Sequence, residues 1–97
     1  MAKEENKRVS RGMPNNVDAE ASVLGAILID NKAADIIIPM LSVDDFYLAQ
    51  NRLIFAVMKQ LQMESKPIDT VSVCDALEVK GQLDEVGSVS YLSELAE

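Results

Sequence analysis

Arg52-Leu-Ile-Phe-Ala-Val-Met-Lys-Gln-Leu-Gln62 is the stretch that decides the fold class. Ile54, Val57, Met58 and Leu61 fall at i, i+3, i+4 and i+7, which places four apolar side chains on one face of a helix. Arg52, Lys59, Gln60 and Gln62 lie outside that stripe, on the side a helix turns to water. The same period recurs on both sides of this segment, and no stretch alternates with period two for long enough to make a strand. Val71-Ser-Val-Cys74 alternates only briefly, between helical patterns.

Upstream, Val17, Ala21, Leu24 and Leu28 recur at i, i+4, i+7 and i+11 and predict a helix over about 16–29, with Asp18 and Glu20 in the first turn, where the helix dipole favours acids. Ala19, Val23 and Ala26 occupy its other side, so this helix is small or apolar nearly all round and is either central or covered by a partner. Gly25 sits mid-helix at a cost of ~1 kcal/mol relative to alanine, which points to a close backbone approach, read as helix–helix packing inside the domain in preference to a subunit contact. Asn31 is a candidate cap for a second helix whose Ala33, Ile37, Met40 and Leu41 share a face, with Pro39 ending or kinking it near Ile38. Ser42-Val-Asp-Asp45 then reads as a capping-box variant opening a short turn through Tyr47.

Downstream, Lys66-Pro67 breaks the helical pattern, because the residue before proline is pushed out of the helical region. Asp69 or Ser72 caps the next helix, with Val73, Ala76, Leu77 and Lys80 inward and Gly81 as a left-handed stop. A turn over Asp84 to Gly87 leads to a last helix from about Ser88, running to the end of the sequence with Val89, Leu92, Leu95 and Ala96 inward and Tyr91 at the margin. The expected fold is all-α, a compact bundle of five or six short helices over residues 14–97, whose core includes Leu24, Leu28, Ile54, Val57, Met58, Leu61, Leu77 and Leu92. Residues 1–13, charged and almost without apolar side chains, read as a disordered arm that is solvated or touches nucleic acid.

Composition narrows the functional classes. Hydrophobic residues make up 48% of the 97 and aromatics only 4%, so one small core must be built from aliphatic side chains. The single cysteine, Cys74, excludes an intramolecular disulfide and reads as a small residue at the edge of a packed face. With no histidine and one cysteine, a zinc site lacks ligands. None of the four glycines belongs to a phosphate-binding loop, so no ATP site is expected in this chain. Asp44-Asp45 reads as a dipole-stabilised helix start rather than a metal or acid–base pair. Phe46, Tyr47 and Phe55 keep apolar and acidic company, which suits packing in the core and at its rim rather than base stacking. Apolar runs fall short of the ~18–20 residues of a membrane span and no signal-peptide pattern follows Met1, so the expected location is cytoplasmic. Residues 1–11 carry four basic and two acidic side chains, which leaves five basic and fourteen acidic ones, a formal charge of −9, on residues 12–97. Such a surface repels phosphate, and tight DNA binding by the folded part alone is not expected.

Four blocks in order carry a resemblance. They are Asn16-Val-Asp-Ala-Glu-Ala-Ser-Val-Leu-Gly-Ala-Ile-Leu-Ile-Asp30, Asp44-Asp-Phe-Tyr-Leu-Ala-Gln-Asn-Arg-Leu-Ile-Phe55, Pro67-Ile-Asp-Thr-Val-Ser-Val-Cys-Asp-Ala-Leu-Glu78, and Gly81-Gln-Leu-Asp-Glu-Val-Gly87 followed by Tyr91-Leu-Ser-Glu-Leu95. In this order and spacing, over about residues 14 to 97, the chain resembles the amino-terminal domain of the bacterial replicative hexameric DNA helicase, the DnaB type. The resemblance implies a non-catalytic assembly and docking head. In such proteins it helps form the collar of a hexameric ring and dock the primase and sometimes the helicase loader. ATP, Mg²⁺ and DNA unwinding would belong to a separate motor domain of the parent protein, of bacterial or phage origin. The family domain continues into a helical hairpin, and Tyr91 matches the tyrosine of the family's segment beside that hairpin, which makes it the leading interface candidate, with Val23, Ala26 and Ala19 of the first helix as further ones. The alternative, from a different class, is a free-standing helical adaptor unrelated to replication.

Overall fold

Five apolar stripes close on one another as five α-helices in the computed structural model, which describes residues 16–97. The helices are α1 (Val17–Ile29), α2 (Asn31–Met40), α3 (Ala49–Met63), α4 (Thr70–Val79) and α5 (Ser88–Leu95), with one 3₁₀ turn, Val43–Asp45, between α2 and α3. There is no strand among the described residues. The arm read over residues 1–13 lies outside them.

Helix α1 packs against α2, α3 and α5, and α4 against α3 and α5, so α1 and α3 form the middle of the bundle. From α3 come Ile54, Phe55, Val57, Met58 and Leu61, all buried, as are Leu24, Ile27 and Leu28 of α1, Leu77 of α4 and Leu92 of α5. Each such side chain contributes about 1.5–3 kcal/mol by leaving water. Phe46 and Phe55 pack with ring centroids 4.8 Å apart. Of the three aromatics expected in the core and at its rim, Tyr47 takes the rim, 56% exposed: two residues past the 3₁₀ turn, its N–H donates to Glu20 and its carbonyl accepts from Arg52.

Chain reversals follow local chemistry. Asp69 caps α4 in a reciprocal box, its carboxylate accepting from the Ser72 N–H at 2.8 Å while its own N–H donates to the Ser72 hydroxyl at 2.9 Å. At the far end Gly81, with φ 71°, ends α4; its N–H donates to the Glu78 carbonyl at 3.0 Å and the Gln82 N–H to that of Leu77 at 2.8 Å, the two bonds of a left-handed stop. At the 3₁₀ turn the Ser42 N–H donates to the Asp45 carboxylate at 2.9 Å, as the capping-box pattern requires.

Elsewhere the structure corrects the sequence reading. Asp30, not Asn31, caps α2, accepting from the Lys32 N–H at 2.9 Å; the Asn31 side chain accepts from the Ile68 N–H at 3.3 Å and ties α2 to the segment before α4. The buried face of α2 is carried by Ala34 and Ile38, with Ala33, Ile37 and Leu41 half-buried and Met40 72% exposed. Helix α2 ends at Met40, one residue past Pro39 and two past Ile38. Two carbonyls of α2 find donors from α3, with Lys59 Nζ at 3.3 Å from the Ile38 oxygen and Gln62 Nε2 at 3.2 Å from that of Ala34. Lys80 is exposed at the C-cap of α4 rather than inward, where a lysine could not shed its hydration without cost. Val89 is 48% exposed because α5 places only Leu92 and Leu95 in the core, and α5 ends at Leu95 with Ala96 as its cap.

Candidate docking surface

Glu20 stands on the buried stripe of α1, four residues before Leu24 and seven before Ile27, and its carboxylate reaches the start of α3. Leu48, the N-cap of α3, has no side chain able to accept from the orphan N–H groups there. Glu20 supplies the acceptor from another helix: Oε2 takes the Tyr47 N–H at 2.6 Å, and Oε1 takes Asn51 Nδ2 at 2.8 Å, with the Leu48 N–H at 3.4 Å. The anion also faces the positive end of the α3 dipole. Asn51 is fully buried, and its Oδ1 accepts from the Tyr91 hydroxyl at 2.7 Å. One polar chain, Glu20–Asn51–Tyr91, therefore ties α1, α3 and α5 together, each buried group with a partner.

Removing the carboxylate should show how much this chain holds. Glu20→Ala is expected to cost about 1–3 kcal/mol, because the Asn51 amide and the Tyr47 N–H lose their acceptor. Hydrogen exchange should accelerate first at Tyr47 and Leu48; protection unchanged at those amides would disprove the remote cap.

Two grooves flank α1. The first, about 350 Å³, lies between Ala19, Glu20 and Val23 on one side and Leu41, Asp44, Asp45, Phe46, Tyr47 and Arg52 on the other. Its Arg52 donates Nε to the Phe46 carbonyl at 2.8 Å and Nη2 to that of Tyr47 at 3.0 Å, which rigidifies the wall. The second, about 450 Å³, runs between Ser22, Gly25, Ala26 and Ile29 of α1 and Tyr91, Glu94 and Leu95 of α5. Ile29, 67% exposed, gives it an uncovered apolar shoulder.

The four interface residues expected from sequence thus fall in two places. Ala19 and Val23 border the first groove, and Ala26 and Tyr91 the second. Ala19 is exposed, and Val23, Ala26 and Tyr91 are half-buried. Tyr91 also has a part in packing, since its hydroxyl is spent on Asn51 and only its ring borders the groove. Sequence reasoning passed over Asn51 and gave Glu20 a different role. Both carried a usable signal: Asn51 occupies position i of the i, i+3, i+4, i+7 series completed by Ile54, Phe55 and Met58, and a polar side chain on an apolar stripe must have a buried partner.

Other chemistry is sparse among the described residues. No cluster of His, Cys, Asp or Glu is placed to hold a metal ion, and no helix is long and apolar enough to cross a membrane. Cys74 is half-buried against the core, and desolvation, with Asp75 and Glu78 nearby, pushes its thiol above the ordinary cysteine range.

Comparison with known proteins agrees with the all-helical fold. Residues 12–97 match the family model described as the DnaB-like helicase N-terminal domain. The chain is 45% identical over 83 residues to the replicative DNA helicase DnaB of Pasteurella multocida, and 41% identical over 88 residues to that of Geobacillus stearothermophilus. These alignments cover 86% and 87% of this chain but only 18% of either relative. The crystal structure of the N-terminal domain of DnaB helicase from Mycobacterium tuberculosis superposes with a TM-score of 0.82 at 30% identity, over 86% of this chain and 60% of that one. With a family match running through all five helices, the chain belongs to the DnaB-like helicase N-terminal domain family.

Proposed function

We propose that this chain is the non-catalytic head of a replicative DNA helicase, a module that joins subunits in the ring collar and docks the primase, and in some systems the loader, while a separate domain of the parent hydrolyses ATP and unwinds DNA. The observation that carries the docking role is the groove between α1 and α5, where the Tyr91 ring, Ala26 and the exposed Ile29 form an apolar surface on a family member. A fixed aromatic beside an uncovered aliphatic shoulder is the kind of anchor that concentrates binding energy at an interface. The acidic balance of residues 12–97 argues against DNA as the ligand of this surface and suits a protein partner.

The test separates the ring of Tyr91 from its hydroxyl. Titrating the cognate primase into this chain, Tyr91→Ala should weaken binding at least about tenfold, which corresponds to ~1.4 kcal/mol. Tyr91→Phe, which loses only the Asn51 hydrogen bond, should stay close to the parent. Equal affinity for all three would remove the docking role from this groove.

A further inference from the structure

The groove on the other side of α1 has a different chemistry. Its floor is apolar, from Ala19, Val23, Leu41 and Phe46, and its rim carries Glu20, Asp44 and Asp45 against the single guanidinium of Arg52. Three of these four charges are already engaged. Glu20 holds the start of α3, Asp45 accepts from Ser42, and Arg52 donates to the carbonyls of Phe46 and Tyr47. Asp44 is exposed and makes no hydrogen bond or ion pair among the described residues. Three positions on, Tyr47 stands 56% exposed on the same rim. A carboxylate with no partner among the described residues and an aromatic ring at the mouth of one apolar groove match one side chain better than any other. Arginine pairs its fork with a carboxylate and stacks its plane on a ring.

We propose that this groove docks a short segment of a partner protein that inserts an aliphatic side chain onto Val23 and Leu41 and sets a neighbouring arginine between Asp44 and Tyr47. Net negative charge at the rim, within a region at formal charge −9, favours a cationic occupant over a neutral or acidic one. Arg52 does not cancel this preference, because the carboxylates outnumber it and its Nε and Nη2 already donate to carbonyls. The inference rests on the head being a docking module, but it concerns a surface distinct from the Tyr91 groove. The two therefore fail separately: the primase titration tests that groove, and peptide mapping tests this one.

The experiment is NMR shift mapping of the ¹⁵N-labelled full chain with blocked pentapeptides of leucine flanking a central arginine, lysine or glutamate. The arginine peptide should shift Ala19, Val23, Asp44 and Tyr47 and bind about threefold or more tighter than the lysine peptide, with no response to glutamate. Asp44→Asn and Tyr47→Leu should each weaken the arginine peptide about threefold or more, and Tyr47→Leu should erase its advantage over lysine. Both positions are exposed, and a thermal melt matching the parent keeps folding out of the comparison. The proposal is overturned by an absence of shifts at millimolar peptide, by shifts centred on Tyr91, or by equal responses to arginine and glutamate. Shifts in the groove that grow with protein concentration alone would assign it to a second copy of the chain. Tighter peptide binding after Lys3, Lys7, Arg8 and Arg11 are all changed to glutamine would assign it to the chain's own first residues. Either result overturns a partner segment as the occupant.

Discussion

Phe55→Ala should lower the unfolding free energy by about 3–5 kcal/mol. Phe55 is fully buried in the middle of α3, its ring is 4.8 Å from that of Phe46, and Lys59 Nζ lies 5.4 Å from its centroid. Truncation removes the aromatic pair and opens a cavity between α3 and the segment after the 3₁₀ turn, which the close-packed surroundings collapse only partly to fill. For a domain of this length each kcal/mol moves the melting temperature by roughly 4–8 °C, so a shift of about 12 °C or more is expected by calorimetry or circular dichroism. A shift of only a few degrees would mean that Phe55 is not part of a tightly packed core. Loss of the ring should also loosen the Phe46–Leu48 segment, since Phe46 then has no ring to pack on.

Gly25→Ala separates local from tertiary preference by sign. In an isolated helix the change stabilises by ~1 kcal/mol. Here a Cβ at Gly25 meets the backbone carbonyl oxygen of Leu95 well inside any contact distance, and a backbone atom at a helix end cannot swing aside as a side-chain tip can. Helix α5 must move away from α1, exposing Leu92 and Leu95, and the net outcome should be a loss of about 1–3 kcal/mol. Paired melts of the chain and helicity measurements on a peptide of residues 16–30 should move in opposite directions. A more stable full chain would disprove the close contact between α1 and α5. The same substitution should disturb the Tyr91 groove, which those two helices form.

Periodicity made most of the bundle legible. The stripes of α1, α3, α4 and α5 named Leu24, Leu28, Ile54, Val57, Met58, Leu61, Leu77 and Leu92, all of which lie in the core, because a helix with one apolar face has few other ways to bury it. Gly81 stops α4 and the Ser42–Asp45 box opens the 3₁₀ turn because both act within four residues of chain. The failures were of two kinds. In α2 the inward face is centred on Ala34 and Ile38 rather than Ala33 and Ile37, about 100° round the helix, because Ile36, Ile37 and Ile38 are alike in sequence and only the packing against α1 and α3 selects among them. At Val89 and Lys80, at the ends of short helices, the local pattern extended past what neighbouring helices were there to cover.

By itself, then, the sequence determined an all-helical chain, the stripes that form its core and the four blocks that mark its family, because each of these depends on residues close together in the chain. The partners of Glu20, Asn51 and Tyr91 lie 27 to 40 positions away, and only the packing of α1, α3 and α5 brings them together. An acid that local rules place at the start of its own helix instead caps another, since a carboxylate on a buried stripe must find donors wherever the fold brings them. The two grooves are likewise tertiary. They form where the Leu41–Tyr47 segment and α5 lie against opposite flanks of α1, and that geometry put Ala19 and Val23 on one surface and Ala26, with Tyr91 of α5, on the other, although the three α1 residues share one side of the helix on a wheel.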